Sequence, residues 1–260
     1  MKKIYILAAF ALSCLAGNAQ ENLSLSTYGG TNLQRYANKK MNVTVNRFVF
    51  KGWNTISLPF DMTEEQVNDA FGSDCRLEKL AGVENDGAGI KLNFQDCKAE
   101  GLKANTPYIL HYAGESTSKR IKAENALIED EEASVSFTAE KTGEVVTFAA
   151  ANVKTDAKGL YGILAKDNSD ASFVNVDDIT TGFFATRCYI KLSSGNTTSL
   201  SCNHIKAGTI TSINDVVTDS EKVNVYSVSG TLVAKNASAQ DIANLSKGIY
   251  VVKGKKVVVK

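Results

Sequence analysis

The chain is predicted to be all-β: an antiparallel β-sandwich body with one short helix, followed by a small C-terminal β domain. Three observations carry that reading. Apolar residues alternate at Val43 and Val45, then at Phe48 and Phe50, again at Ile90, Leu92 and Phe94, and at Val135 and Phe137, as strands with one buried face require. Turn clusters such as Glu84-Asn85-Asp86-Gly87 separate these runs, and with only two prolines, Pro59 and Pro107, the connections rely on Gly, Asn, Asp and Ser. The chain closes on NLSKGIYVVKGKKVVVK, two β-branched runs hinged at Gly254. Regular short strands with such turns argue a sandwich or barrel.

The first element is an address. MKKIYILAAFALSCLAGNAQ has two lysines, an apolar run from Ile4 to Leu15 and a small-residue exit at Gly17-Asn18-Ala19, the layout of a secretory signal over residues 1–19, cut before Gln20. A rival lipoprotein reading at Ala11-Leu12-Ser13-Cys14 puts Ala where a large aliphatic is usual and Cys14 inside the apolar run. The apolar core is shorter than the roughly 20 residues a spanning helix needs, so no transmembrane segment is expected after signal removal. Of 29 Lys and Arg, removing Lys2 and Lys3 leaves 27 against 28 Asp and Glu. A near-neutral chain gives no electrostatic footprint for nucleic acid.

Next, KGWNTISLPF reads as a strand led by Trp53, with Ile56, Leu58 and Phe60 alternating behind it. Trp53 is either a platform for a sugar ring or a core anchor, and the alternation favours the anchor. FDMTEEQVNDAFG follows as the one helix: Thr63 caps the backbone while Gln66 reaches back, Met62 and Val67 form a staple, and Gly72 ends it. Val67, Ala70 and Phe71 share its buried face.

The mature chain keeps Cys75, Cys97, Cys188 and Cys202, an even number that favours disulfides in an exported protein. A hairpin about Gly195 in RCYIKLSSGNTTSLSCN sets Cys188 opposite Cys202 and Ile190 opposite Leu200 on one face, which predicts a cross-strand bridge. Cys75 and Cys97 are symmetric about Asp86, but that register sets Leu77 against Gln95; a bulge repairs the mixed faces.

The search for chemistry is largely empty. His111 and His204 are the only imidazoles, sit in strand-like sequence and belong to no metal-binding spacing. The run Glu129-Asp130-Glu131-Glu132 lacks the spaced oxygens of a calcium loop and reads as solvated. Asp177-Asp178 is a carboxylate pair whose members, adjacent on a strand, point apart. No catalytic residue, metal ligand or cofactor is expected.

GWNTISLPFDMTEEQVNDAFG, LKANTPYIL and TGFFATRCYIKL resemble a module of exported proteins from Bacteroidetes-type bacteria, usually of unassigned function, over most of Phe48 to Ile205. The resemblance implies a β architecture and an exported location; it carries no catalytic residue.

The tail is the more specific resemblance. VNVYSVSGTLV, LSKGIYVV and KKVVVK are similar in order to the C-terminal sorting domain of the type IX secretion system, with Tyr226, Gly230, Gly248, Tyr250 and the closing Lys260 at matching positions. This implies a small Ig-like β domain over residues 213–260, following a body over 20–212, that engages secretion machinery so that the protein is released or held at the outer-membrane surface. The expected function is therefore a non-catalytic, exported interaction or structural protein with an unknown surface glycan or protein as partner. The alternatives are a carbohydrate-binding module, which needs an exposed aromatic row, and a glycan-directed hydrolase.

Overall fold

The structure, a computed structural model, describes residues 21–28, 30–85, 89–131, 133–139, 141–164, 171–180, 182–195, 200–206, 217, 221–227, 229–246 and 248–259. The predicted signal peptide, the turn centre at Asp86 and Lys260 lie outside them. The chain is all-β and divides into two compact units, residues 1–204 and 205–260; the boundary expected at 212/213 also falls outside the described residues. No helix among the described residues is long and apolar enough to cross a membrane.

In chain order the first unit has β1 (Asn22–Leu25), β2 (Lys40–Val49), β3 (Gly52–Ile56), helix α1 (Glu64–Phe71), β4 (Arg76–Asn85), β5 (Ile90–Asp96), β6 (Tyr108–Tyr112) and β7 (Thr117–Leu127). There follow β8 (Ser134–Ala139), β9 (Glu144–Ala151), β10 (Thr155–Asp156), β11 (Leu160–Leu164), β12 (Ser172–Asn175), β13 (Gly182–Phe183), β14 (Arg187–Leu192) and β15 (Leu200–Ile205). One sheet has ten strands in the order β3-β6-β4-β5-β15-β12-β11-β14-β9-β8; a second has the order β1-β2-β7; β10 and β13 form a small pair. Against the expected antiparallel pattern, β1 joins β2 in parallel.

Two cores result. In one, Val43 and Val45 of β2 and Ile121 of β7 pack with Val67 and Phe71 of α1 and with Ile56, Leu77 and Leu110 of the long sheet. In the other, the long sheet curls until Phe94 of β5 meets Phe148 of β9 edge to face at 5.6 Å. All five residues of β3 are buried because it serves both cores, Trp53 in the second and Ile56 in the first. The helix forms as its sequence predicts: Gln66 N–H donates to Thr63 Oγ1 at 3.3 Å, Thr63 N–H donates to Gln66 Oε1 at 2.8 Å, and Gly72 leaves at φ +94°.

The cysteines correct the sequence reading. Strands β14 and β15 are not neighbours, because the β11–β12 pair inserts between them. Cys188 therefore faces Ala150 of β9, while Leu200 of β15 faces Phe173 of β12. The local hairpin loses to the burial of Tyr161 and Phe173 that the insertion allows. The bulge foreseen between Cys75 and Cys97 is present at Ala81 and brings Leu77, not Cys75, beside Cys97, whose N–H donates to the Leu77 carbonyl at 2.9 Å. Cys75, Cys97 and Cys188 are buried free thiols, and no disulfide joins any of the four. Burial pushes the Cys97 and Cys188 thiols up to about 12 and raises Cys75 as well.

The second unit contains β16 (Val223–Ser227), β17 (Leu232–Ala237), helix α2 (Ala239–Ala243), β18 (Gly248–Val252) and β19 (Lys255–Val259), in one sheet of order β17-β16-β18-β19. Val223, Val225, Val252, Val257 and Val259 cluster with Ala239 and Ile242 of α2. The final hairpin turns through Lys253 and Gly254, both at positive φ (50° and 76°), the two-residue loop whose twist matches its strands. α2 is absent from the sequence expectation. Its capping box, Ser238 with Asp241, is legible, but five residues are too few to show a helical period.

Candidate functional site

Among the described residues, two clusters join several aromatic rings to a cation, one closed and one open, besides the pair of Lys119 over Tyr112 at 4.8 Å. The closed cluster gathers around Trp53. The His204 ring of β15 stacks on it at 4.4 Å and 12°, His111 of β6 meets it edge-on at 5.1 Å, and the Arg76 guanidinium of β4 lies 4.9 Å from its centre. Glu78 of β4, with no exposed surface, accepts from Arg76 and meets His204 Nδ1 at 2.6 Å. His204 is only 12% exposed, and its Nε2 is buried without a hydrogen-bond partner among the described residues. The arrangement neutralises a buried carboxylate; it turns little surface toward a substrate.

The open cluster lies at one end of the β1–β2–β7 sheet. Along β2 the odd positions from Met41 to Val49 are buried and the even ones face outward, so Phe48, and Phe50 beyond it, stand on the solvent side, 44% and 45% exposed. Their rings meet edge to face at 5.0 Å. Arg187, opening β14, donates to the Phe48 carbonyl at 2.8 Å and sets its guanidinium 5.8 Å from the Phe50 ring centre. Three residues upstream, Phe184 (42% exposed) packs edge-on against Tyr28 (75% exposed) at 5.2 Å. Tyr28 follows β1, and its neighbour Thr27 donates from Oγ1 to the Asn46 carbonyl at 3.2 Å. Four exposed rings from three separate segments thus form two edge-to-face pairs, Phe48–Phe50 beside the Arg187 guanidinium and Tyr28–Phe184, which the Arg187 N–H links by donating to the Phe184 carbonyl at 3.3 Å.

Arg47 holds the segments together. It occupies an inward position of β2, is buried, and donates to the Thr186 and Thr55 carbonyls at 2.8 Å each. Thr186 sits at φ +69°, a strained conformation for a β-branched residue. The clamp thus fixes the turn that presents Phe184 and Arg187. Burial, and next the nearby Arg187, lower the Arg47 pKa well below its ordinary value; burial also lowers that of Arg187.

No family model, curated protein or solved structure matches the chain.

The remaining expected positions are dispersed. Trp53, Tyr108 and Tyr112 are buried, so they form no sugar platform. Asp177 accepts the Gly159 N–H at 2.6 Å in a turn. Glu129 lines, with Asp61, Gln66 and Glu124, a cleft of about 280 Å³; Glu132 lies outside the described residues. Asp61 is taken up by Lys103 and the Ala104 N–H, whose hydrogen bonds outweigh its partial burial and lower its pKa. In the second unit Gly230 turns between β16 and β17 at φ +85°, Gly248 opens β18, Tyr226 faces outward on β16, and the Tyr250 hydroxyl donates to the Ser246 carbonyl at 2.8 Å. Neither Tyr28 nor Phe184 nor Arg187 is singled out by sequence. One signal was available: Val43 and Val45 are odd, Phe48 and Phe50 even, so within a single unbroken strand they must face opposite sides.

Proposed function

We propose that this chain is a non-catalytic, exported interaction protein that captures a surface partner through the exposed rings of Phe48, Phe50, Phe184 and Tyr28, and whose C-terminal sheet directs secretion or surface attachment. One observation carries the first half: Phe48, Phe50, Phe184 and Tyr28 remain exposed although a large aromatic normally goes to the core, and grouped exposed rings with an arginine are the composition of binding hot spots. The second half rests on the sorting-domain resemblance at Tyr226, Gly230, Gly248, Tyr250 and Lys260.

The test of the first half is an array of purified glycans and extracellular proteins probed with the wild-type protein and with a Tyr28→Ser, Phe184→Ser variant. Binding that the variant loses while its melting temperature holds supports the reading; binding that survives, or none at all, refutes it. For the second half, deletion of residues 213–260 should trap the protein in the periplasm of a host with type IX secretion, and unchanged surface levels would remove the sorting role.

A further inference from the structure

Beyond the rings, the outer face of the β1–β2–β7 sheet has a composition of its own. Side chains on one strand face are about 6.7 Å apart along the strand, and neighbouring strands about 4.8 Å apart. The register places Ser24, Thr44 and Lys122 in one row across the sheet and Asn46 beside Arg120 in the next, with Phe48 beside Ser118 beyond. Arg120 Nε–H donates to Asn46 Oδ1 at 3.2 Å, which holds the guanidinium over the sheet surface. Lys122 is exposed and makes no ion pair among the described residues. The face thus offers hydroxyls, amides and the cations Lys40, Arg120 and Lys122, leading to an aromatic end beside a further one, Arg187. Of its carboxylates, Glu124 is two positions along β7 from Lys122, on the side of the acidic cleft, and Glu115 is held by Lys51 at 3.1 Å.

We propose that this face binds a linear polysaccharide bearing carboxylate groups, laid along β2 with sugar rings against Phe48 and Phe50 and carboxylates at Arg120 and Lys122. The proposal rests on the reading of the aromatic end as a binding site and names what occupies it. Each part of the surface answers one part of such a ligand. An apolar ring face covers the C–H face of a sugar; amide and hydroxyl side chains both donate and accept, as sugar hydroxyls do; the planar guanidinium matches a carboxylate. The ten residues of β2 extend about 33 Å, enough for several sugar units. A protein partner would instead call for a wide apolar centre with depleted charge, whereas here the apolar part is confined to one end of a polar, basic strip. The charge is local, because the mature chain as a whole is close to neutral.

The experiment is calorimetric titration of the purified protein with polygalacturonate, with neutral dextran and with poly-glutamate as a sugar-free polyanion. Polygalacturonate should bind, more weakly as salt rises, while dextran and poly-glutamate should not. Arg120→Gln with Lys122→Gln, and separately Phe48→Ala with Phe50→Ala, should each weaken binding about tenfold or more at unchanged melting temperature. Equal binding of dextran or poly-glutamate, no polygalacturonate binding at low salt, or full affinity in either double variant would overturn the proposal. If polygalacturonate fails but the array shows a purified protein whose capture requires Tyr28 and Phe184, the polysaccharide is wrong and the interaction site stands.

Discussion

Trp53 and Phe50 are three residues apart and both lie near an arginine, yet one is sealed in the core and the other is open to solvent. The difference is the supporting shell. Around Trp53 four strands close: β3 supplies the ring, β4 Arg76 and Glu78, β6 His111 and β15 His204. Phe50 and Phe48 are left on the far face of the outer sheet, whose apolar side is already satisfied by the first core. An aromatic residue beside a cation is therefore core or surface according to how many elements reach it. In the closed cluster the arginine offsets a buried carboxylate; in the open one it donates to a backbone carbonyl beside an exposed ring.

The comparison is tested most severely by Trp53→Ala. Removing a ring on which His204 stacks should cost about 3–5 kcal/mol, read from chemical denaturation; a loss below about 1 kcal/mol would mean that the cluster is not a structural anchor. A smaller effect belongs to β14, which turns Arg187 outward and Cys188 inward, between the two environments. Because the Cys188 thiol is raised in the folded state from an ordinary 9.0 to about 12, its contribution is intact below pH 9 and is lost as pH rises from there toward 12. The loss should reach about 2 kcal/mol near pH 10.5. Cys188→Ala should lack this part of the alkaline loss, and identical alkaline profiles for the two proteins would refute it. The smallest effect is expected in the open cluster: Phe48→Ala with Phe50→Ala should change stability by no more than about 0.5 kcal/mol, and a larger drop would show these rings to be structural after all.

Much of the local structure was written in single stretches of sequence. Thr63 and Gln66 specify the helix start whatever surrounds them, and Lys253-Gly254 specifies the final hairpin, because each depends on backbone geometry over a few residues. The Cys188–Cys202 hairpin was equally well patterned and failed, since a pattern of alternation states which face is buried but not which strand lies alongside. The candidate site was half legible: the parity change between Val45 and Phe48 marks an outward aromatic pair, but nothing in the sequence joins it to Phe184, Arg187 and Tyr28, some 140 and 20 residues away. By itself, then, the sequence determined the all-β class, the caps, the turns and which residues seek burial, all consequences of short-range sterics and side-chain polarity. Only the tertiary structure decided the strand order, the fate of the cysteines and the meeting of Phe48 and Phe50 with Arg187 and of Tyr28 with Phe184, because those follow from the competition of distant segments for the same apolar surface, which no local stretch encodes.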